Sequence, residues 1–376
     1  MEGVTDFSAR LWFWSISQPD SMGTPFLRVT PTYPHQELPE IYAPELKLQA
    51  HYQLMPQLMA SDAADFERIA PLILGGASVV EINCGCPAPK VVGNGGGSSL
   101  LIDVQRFAET MRRLSESSGP KKLAVKIRTG YDDDLSFNEL ISAIADLDLS
   151  RLTVHGRTKA QRYRGYSDWE KIEYAAQQLN FPVYGSGDIC DVRTLAEKLK
   201  LAPSVTGVIV GRGAIRNPWL FRELRTGVAV TVSGNELIDS LSFYAHLNFL
   251  ERNHPLCLVN AYFNGIFNRD TPHHSAIDSN VIRELCEYAS TQDIDLSAEG
   301  FDRQTIGRTK MIWNYLRSSI PAAFEQPSIL RAKTFSAMLD QIKDFWQSSF
   351  MSLENAVQLS YNPIYDRFYG KGGGEE

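Results

Sequence analysis

The residues best suited to chemistry cluster at Asn83-Cys84-Gly85-Cys86-Pro87, followed by Lys90 and the run Gly93-Asn94-Gly95-Gly96-Gly97-Ser98-Ser99. Two thiols spaced C-x-C invite a metal or redox reading. That spacing does not close a disulfide easily, and no second pair completes a zinc set. His273 and His274 are a bare pair with no partner motif. The plain alternative is that both cysteines are small buried residues. Pro87 and the glycines instead set the stretch in an ordered loop leaving a strand. A polarisable thiol has little packing purpose there, so a catalytic role for one of the two is favoured. Which one, the spacing leaves open.

The elements that must position this loop form an alternating series. Apolar β-rich runs at 26–30, 52–59, 78–83, 123–128, 151–155, 182–186 and 207–211 alternate with helical periodicity at 62–74, 104–114, 137–147, 169–179 and 192–199. Strands of buried character alternating with helices imply a parallel α/β sheet. No G-x-G-x-x-G follows the first strand, against a doubly wound dinucleotide fold. Polar or glycine-rich residues follow nearly every strand, as in Asn83–Gly85, Arg128–Gly130, His155–Arg157, Gly185–Asp188 and Gly211–Gly213. That is where a (β/α)8 TIM barrel carries its chemistry. Seven strands are visible where such a barrel has eight.

Beyond about residue 230 the β signal fades, and 306–316, 332–346 and 353–359 read as helices. The expected organisation is a catalytic barrel over 1–228 and a mainly α-helical domain over 229–360. The latter carries an irregular acidic insertion near 254–303, and a loose tail spans 361–376. Five scattered cysteines without a signal-peptide pattern fit a reducing cytoplasm. No apolar run approaches the roughly 20 residues of a membrane span. The net charge of −7 is regional: residues 231–301 hold ten acids and three bases, leaving the rest neutral. Within that rest, 302–334 carries Arg303, Arg308, Lys310, Arg317, Arg331 and Lys333 against Asp302 and Glu325, so a basic face is available. Trp12, Trp14, Trp169, Trp219 and Trp313 read as core residues rather than base platforms.

The motifs taken together resemble one family. N-x-G-C-P after a strand, V-K-I-R-T-G at 125–130, H-G-R-T at 155–158 and G-R-G at 211–213 stand in order. With the opening Met1-Glu2-Gly3-Val4-Thr5-Asp6, they resemble the tRNA-dihydrouridine synthases, and the glycine-rich run after Pro87 most resembles the branch acting on uridine 16 of the D loop. The resemblance implies FMN reduced by NADPH, with hydride delivered to C6 of uracil and a proton to C5. By position in N-x-G-C-P the acid is Cys86, and Cys84 occupies the variable place. Lys126 would face the flavin N1/O2 region, Gln57 its edge, and His155 and Arg157 its plane. Met1 and Glu2 match the end of the flavin-contacting first motif. Ser186, Gly187, Asp188, Gly211 and Arg212 would hold the phosphate. Asn83 and Tyr163 would hold the flipped uracil. Arg28, Lys159, Arg164, Arg308, Lys310 and Arg317 match places where the family touches tRNA. Arg308 and Lys310 lie two apart, so both can face one phosphate track only if one sits at a helix start beside Gly307. The expected protein is a monomeric, cytoplasmic tRNA-binding enzyme without metal or membrane segment.

Two departures stand out. The family tends to have Asn where this chain has Ser186. Members also carry an apolar strand and Ala-Pro before Met-Glu-Gly, where this chain begins, so the expected barrel lacks its first strand and leaves two sheet edges unpaired. A start further upstream, or a catalytically impaired RNA-binding remnant, would account for this. A flavin barrel reducing a small molecule, such as a dihydroorotate dehydrogenase, is the remaining alternative. The basic residues of the C-terminal domain argue against it.

Overall fold

The computed structural model describes residues 4–33, 52–93, 95–266, 279–297 and 299–360. Met1, Glu2, His273, His274 and the 361–376 tail lie outside them. The chain divides into two compact units: one takes 20–189 and 193–211, the other 4–19, 190–192 and everything from 212 onward. Val4-Thr5-Asp6 of the opening motif thus belong with the second unit.

In the first unit seven parallel strands follow one another in sheet order: β1 (Ser21–Val29), β2 (Gln53–Ala60), β3 (Val80–Cys84), β4 (Leu123–Arg128), β5 (Arg151–His155), β6 (Val183–Ser186) and β7 (Gly207–Ile209). Between β2 and β7 the crossovers carry helices, the sequential order of a β/α barrel. The helices are α2 (Ala63–Leu74), α3 (Val104–Ser118), α4 (Phe137–Ser142), α5 (Trp169–Gln178) and α6 (Val192–Leu201); α1 (Phe7–Ser17) belongs to the second unit. Asp62, Asp103 and Asp168 cap α2, α3 and α5, each side chain accepting backbone N–H groups of the first turn. Among the described residues the sheet has seven strands, and β1 and β7 each have one partner.

The second unit is built around α9 (Gly234–Asn253), after α7 (Arg212–Arg216), α8 (Leu220–Thr226) and β8 (Thr231–Ser233). Leu237, Leu241, Tyr244, Ala245, Leu247 and Leu250 are all buried, with Ser240, His246 and Asn248 among them, so α9 is buried around most of its circumference. Trp12 of α1 meets Tyr244 edge-on at 5.5 Å and donates its indole N–H to the Ser240 carbonyl at 2.9 Å. The Glu251 carboxylate accepts the Phe7 and Ser8 N–H groups at the head of α1. Trp12, Trp169, Trp219 and Trp313 are fully buried, and Trp14 nearly so, in keeping with their reading as core.

Within 254–303 the chain forms α10 (Pro255–Phe263) and α11 (Ser279–Ser290). Two sequence expectations are corrected here. The segment 353–359 is not a helix. Its Ala356–Gln358 forms β9, antiparallel to β8, after α13 (Phe335–Phe350) has ended at Met351. Finally, α12 (Arg303–Leu316) starts at its cap Asp302, whose carboxylate accepts the Thr305 N–H at 2.7 Å. Arg308 and Lys310 are therefore both inside the helix, neither at its head, and they face different ways.

Candidate active site

One close contact decides which face of the sheet carries polar chemistry. A Cβ on Gly185 would lie 2.4 Å from Trp169 Cζ3, so α5 packs on the face of β6 that bears Gly185. Register carries that helix-facing side across the sheet, from Gly185 to Val154, Ile127 and Cys84. Side chains alternate along a strand. The opposite, interior face therefore bears Ser186, Thr153 and His155, Lys126 and Arg128, and Glu81 and Asn83. Gln57, register partner of Glu81, completes the row. Asn83 and Lys126 are direct neighbours.

These interior groups are joined. Gln57 Nε2 donates to Glu81 Oε1 at 2.6 Å, Asn83 Nδ2 to Gln57 Oε1 at 3.2 Å, and the Gly85 N–H to Asn83 Oδ1 at 3.0 Å. Glu81 Oε2 also faces Arg151 Nη2 at 3.8 Å. Burial pushes the Glu81 carboxyl up, against the pull of Arg151 and Lys126. Burial pushes the Lys126 ammonium down, Glu81 countering it while Arg128 and Arg151 add to the lowering. Gln57 is fixed from the backbone too. The β1 register slips between Gly23 and Phe26, where Pro25 has no N–H to give, and the Thr24 hydroxyl accepts the Gln57 N–H at 3.0 Å.

The two cysteines part company. Cys84 is fully buried on the helix-facing side. Burial first, then the charge of Glu81, pushes its thiol well above the ordinary cysteine range. Cys86 lies past the strand end on the loop that Asn83 anchors, packed among Met59, Val91 and Phe26. Its carbonyl accepts from the Ser98 N–H at 3.2 Å and the Ser98 hydroxyl at 2.9 Å. Gly97 stands at φ +59, where an added Cβ would be 3.2 Å from Cys86 Cβ. The glycine run thus closes over the cysteine loop.

Arg128 and Arg157 brace the loops beyond the strands. Arg128 Nε donates to the Gly85 carbonyl at 2.8 Å and its Nη1 to the carbonyls of Thr158 and Arg162, tying the cysteine loop to the loop after β5. Arg157 Nη2 donates to both Asp188 oxygens, at 2.7 and 2.8 Å, and to the Gly165 carbonyl at 2.6 Å. Asp188 also accepts the Ser167 N–H and hydroxyl, and it holds a left-handed φ of 57°. Burial would raise its carboxyl, but the Ser167 N–H, Arg157 and the Ser167 hydroxyl outweigh that and bring it below the usual range. Arg157 and Asp188, expected as cofactor contacts, thus engage each other.

The remaining expected residues are spread out. Ser186 is buried at the end of β6, its carbonyl accepting the Gly156 N–H. Gly211 ends the first unit, and Arg212 opens α7 of the second. Tyr163 is half exposed, with the Arg128 guanidinium 6.0 Å from its ring centre. Arg28 is exposed, Lys159 lies 4.1 Å over the Tyr131 ring, and exposed Arg164 donates to the Ala160 carbonyl. In the second unit Arg308 pairs with Asp6, the Lys310 ammonium donates to the Ala332 carbonyl, and Arg317 Nε donates to Asn314 Oδ1. Sequence reasoning missed Glu81, Arg128, Arg151 and Ser167. Glu81 left a signal, as the lone acid in an apolar run, two residues before Asn83 on the same face. Among the described residues no three His, Cys, Asp or Glu side chains gather as a metal set, and no helix is long and apolar enough to cross a membrane.

Amide, ammonium, imidazole and thiol groups toward the C-terminal ends of consecutive parallel strands define a β/α-barrel enzyme type of site. The dihydrouridine synthase (Dus) family model matches residues 1–250. A probable tRNA-dihydrouridine synthase of Helicobacter pylori strain J99 is 35% identical over 149 residues, 39% of this chain and 45% of that protein. The tRNA-dihydrouridine(16) synthase of Escherichia coli K12 is 33% identical over 240 residues, 60% of this chain and 73% of that protein. The chain thus spans under half the length of the first relative and about three quarters of the second. Among solved structures, morphinone reductase aligns at TM-score 0.45 and 11% identity, over 61% of this chain and 83% of that one. The chain belongs to the dihydrouridine synthase family.

Proposed function

We propose that this chain reduces uridine to 5,6-dihydrouridine in the D loop of tRNA, at position 16, using FMN and NADPH. The observation that carries the reading is the placement of Cys86 one loop step beyond the interior row of Gln57, Asn83 and Lys126. The residues fit a flavin. The row offers amide and ammonium donors to a ring edge rich in carbonyls, and a Cβ on Gly23 would crowd Gln57 Nε2 at 2.9 Å. Thr153 Oγ1, beside Lys126 in register, is buried and bonds no group among the described residues. When bound, FMN supplies the hydride for C6 of the base.

The chain's own groups do the rest. Gln57, Lys126 and His155 hold the ring, with the Lys126 charge set where negative charge gathers. Ser186, Gly187, Gly211 and Arg212 serve the phosphate, chiefly through backbone N–H groups. Arg157 and Asp188 brace the loops through their pair, and Arg157 Nη1, buried and without a partner among the described residues, remains for the cofactor. Asn83 and Tyr163 hold the flipped base, and Cys86 gives its proton to C5. Arg28, Lys159, Arg164 and Arg317 hold the surrounding RNA. Arg308 and Lys310, engaged within their own unit, are the weakest candidates for a grip on RNA. The name of the E. coli relative supports position 16.

The test is a pair of variants. Cys86→Ala is expected to keep FMN and NADPH oxidation while losing dihydrouridine formation by a factor on the order of 10²–10⁴. Cys84→Ala keeps its rate. Equal behaviour of the two removes Cys86 as the acid.

A further inference from the structure

We infer that Glu81 is a positioning residue that, together with the Gly85 N–H at the other end, fixes which end of the Gln57 and Asn83 amides faces the ligand. The inference rests on the flavin and uridine reading just given. An amide has a donor end and an acceptor end of the same shape, so its neighbours decide which way it points. At one end of the row the Gly85 N–H, which can only donate, claims Asn83 Oδ1 at 3.0 Å. Asn83 must then turn Nδ2 to Gln57 Oε1, at 3.2 Å. Gln57 must in turn point Nε2 the other way, and there Glu81 Oε1 accepts it at 2.6 Å. The chain is consistent in one sense only, running from a backbone donor to a buried acceptor.

The consequence reaches the ligand. Each amide nitrogen carries two N–H groups and spends one on this chain, so each keeps one with no taker among the described residues. Both amides therefore offer a donor, which suits a ring carbonyl. Uracil has carbonyls at C2 and C4, whereas cytosine has an amino group at C4, which a donor cannot match. Glu81 is 2% exposed and lies beneath the two amides, so it acts through them and not by contact. It also neutralises charge, since Arg151 and Lys126 both lie near it.

Two conservative variants separate these roles. Glu81→Gln removes the charge and keeps a carbonyl oxygen in place for Gln57. Glu81→Asp keeps the charge and draws the acceptor back by a methylene, out of reach of a 2.6 Å bond. Two readouts are taken on each folded protein: the side-chain NH₂ resonances of Gln57 and Asn83 by NMR without ligand, and FMN affinity by fluorescence quenching. If Glu81 sets the amides, the Asp variant moves both resonances toward solvent values and weakens FMN by about tenfold or more, the scale of an orphaned buried donor. The Gln variant keeps the resonances and stays within about threefold of the wild type. A role in charge balance alone reverses that order, and the reversed order overturns the inference, as do resonances unmoved in the Asp variant. Failure of the wild type to bind FMN overturns the flavin reading and the ligand named here. The ligand-free NMR readout tells that outcome apart from a faulty amide chain.

Discussion

Gly97→Ala should destabilise the first unit by combining a left-handed backbone with a steric clash. Gly97 holds φ +59, and a Cβ there would lie 2.8 Å from Val91 Cγ1, 3.0 Å from the Cys86 carbonyl oxygen and 3.2 Å from Cys86 Cβ. Holding an alanine in the left-handed region costs about 1–2 kcal/mol. Forcing a methyl against a packed side chain and a backbone carbonyl adds about 1–3 kcal/mol. The sum is about 2–5 kcal/mol. Gly165→Ala is the internal control, since Gly165 stands at φ +67 with no atom within 4 Å of its added Cβ. That variant should show only the backbone part, about 1–2 kcal/mol. The difference between the two, about 1–3 kcal/mol, is what the methyl does to the cysteine loop. Urea unfolding at constant slope measures the loss, and the rate of Cys86 alkylation reports whether the thiol has moved. Equal midpoints for the two variants, with an unchanged alkylation rate, would falsify the claim that the glycine run closes over Cys86.

Other expectations concern the second unit and the RNA. Arg308→Ala should cost about 0.5–1.5 kcal/mol of stability, because Asp6 loses its ion pair while still accepting the Ala9 N–H at 2.9 Å. Lys159→Ala with Arg164→Ala should instead leave stability unchanged and flatten the salt dependence of tRNA binding by roughly one slope unit for each phosphate no longer neutralised. Equal tRNA affinities and slopes in that double variant would mean the RNA is held elsewhere. Asp302 gives a pH test. Burial would raise its carboxyl, but the Thr305 N–H, the Asn253 amide and Arg252 outweigh that and hold it at about 2, below its ordinary 3.8. A folded-state value below the unfolded one means that its stabilisation is complete above about pH 4 and lost as pH falls toward 2. Asp302→Asn should flatten the stability profile in that window; parallel profiles in the two proteins would contradict it.

Much of this was legible in the sequence where one physical signal dominates. The strands 123–128 and 151–155 coincide with β4 and β5 because Val125 and Ile127, and Leu152 and Val154, recur at every second place, the period of a strand. Chain order gave the parallel topology, and the motifs gave Gln57, Asn83, Lys126 and Cys86. The long helix α9 escaped because burial around most of its circumference erases the polar face that amphipathic reading needs. The segment 353–359 was misread because three residues pairing with a distant strand leave no local pattern. Arg157 and Asp188 are expected at the cofactor, and the structure also pairs them with each other. Their pairing across 31 residues depends on how two loops fold toward each other, which neither loop encodes alone.

The central claim is best tested on the chain as it stands, with FMN, NADPH and tRNA transcribed without modification, followed by mapping of dihydrouridine at nucleotide resolution. The account expects dihydrouridine at position 16, dependent on FMN and abolished in Cys86→Ala. FMN-loaded protein that oxidises NADPH yet leaves every uridine of the tRNA intact would contradict it.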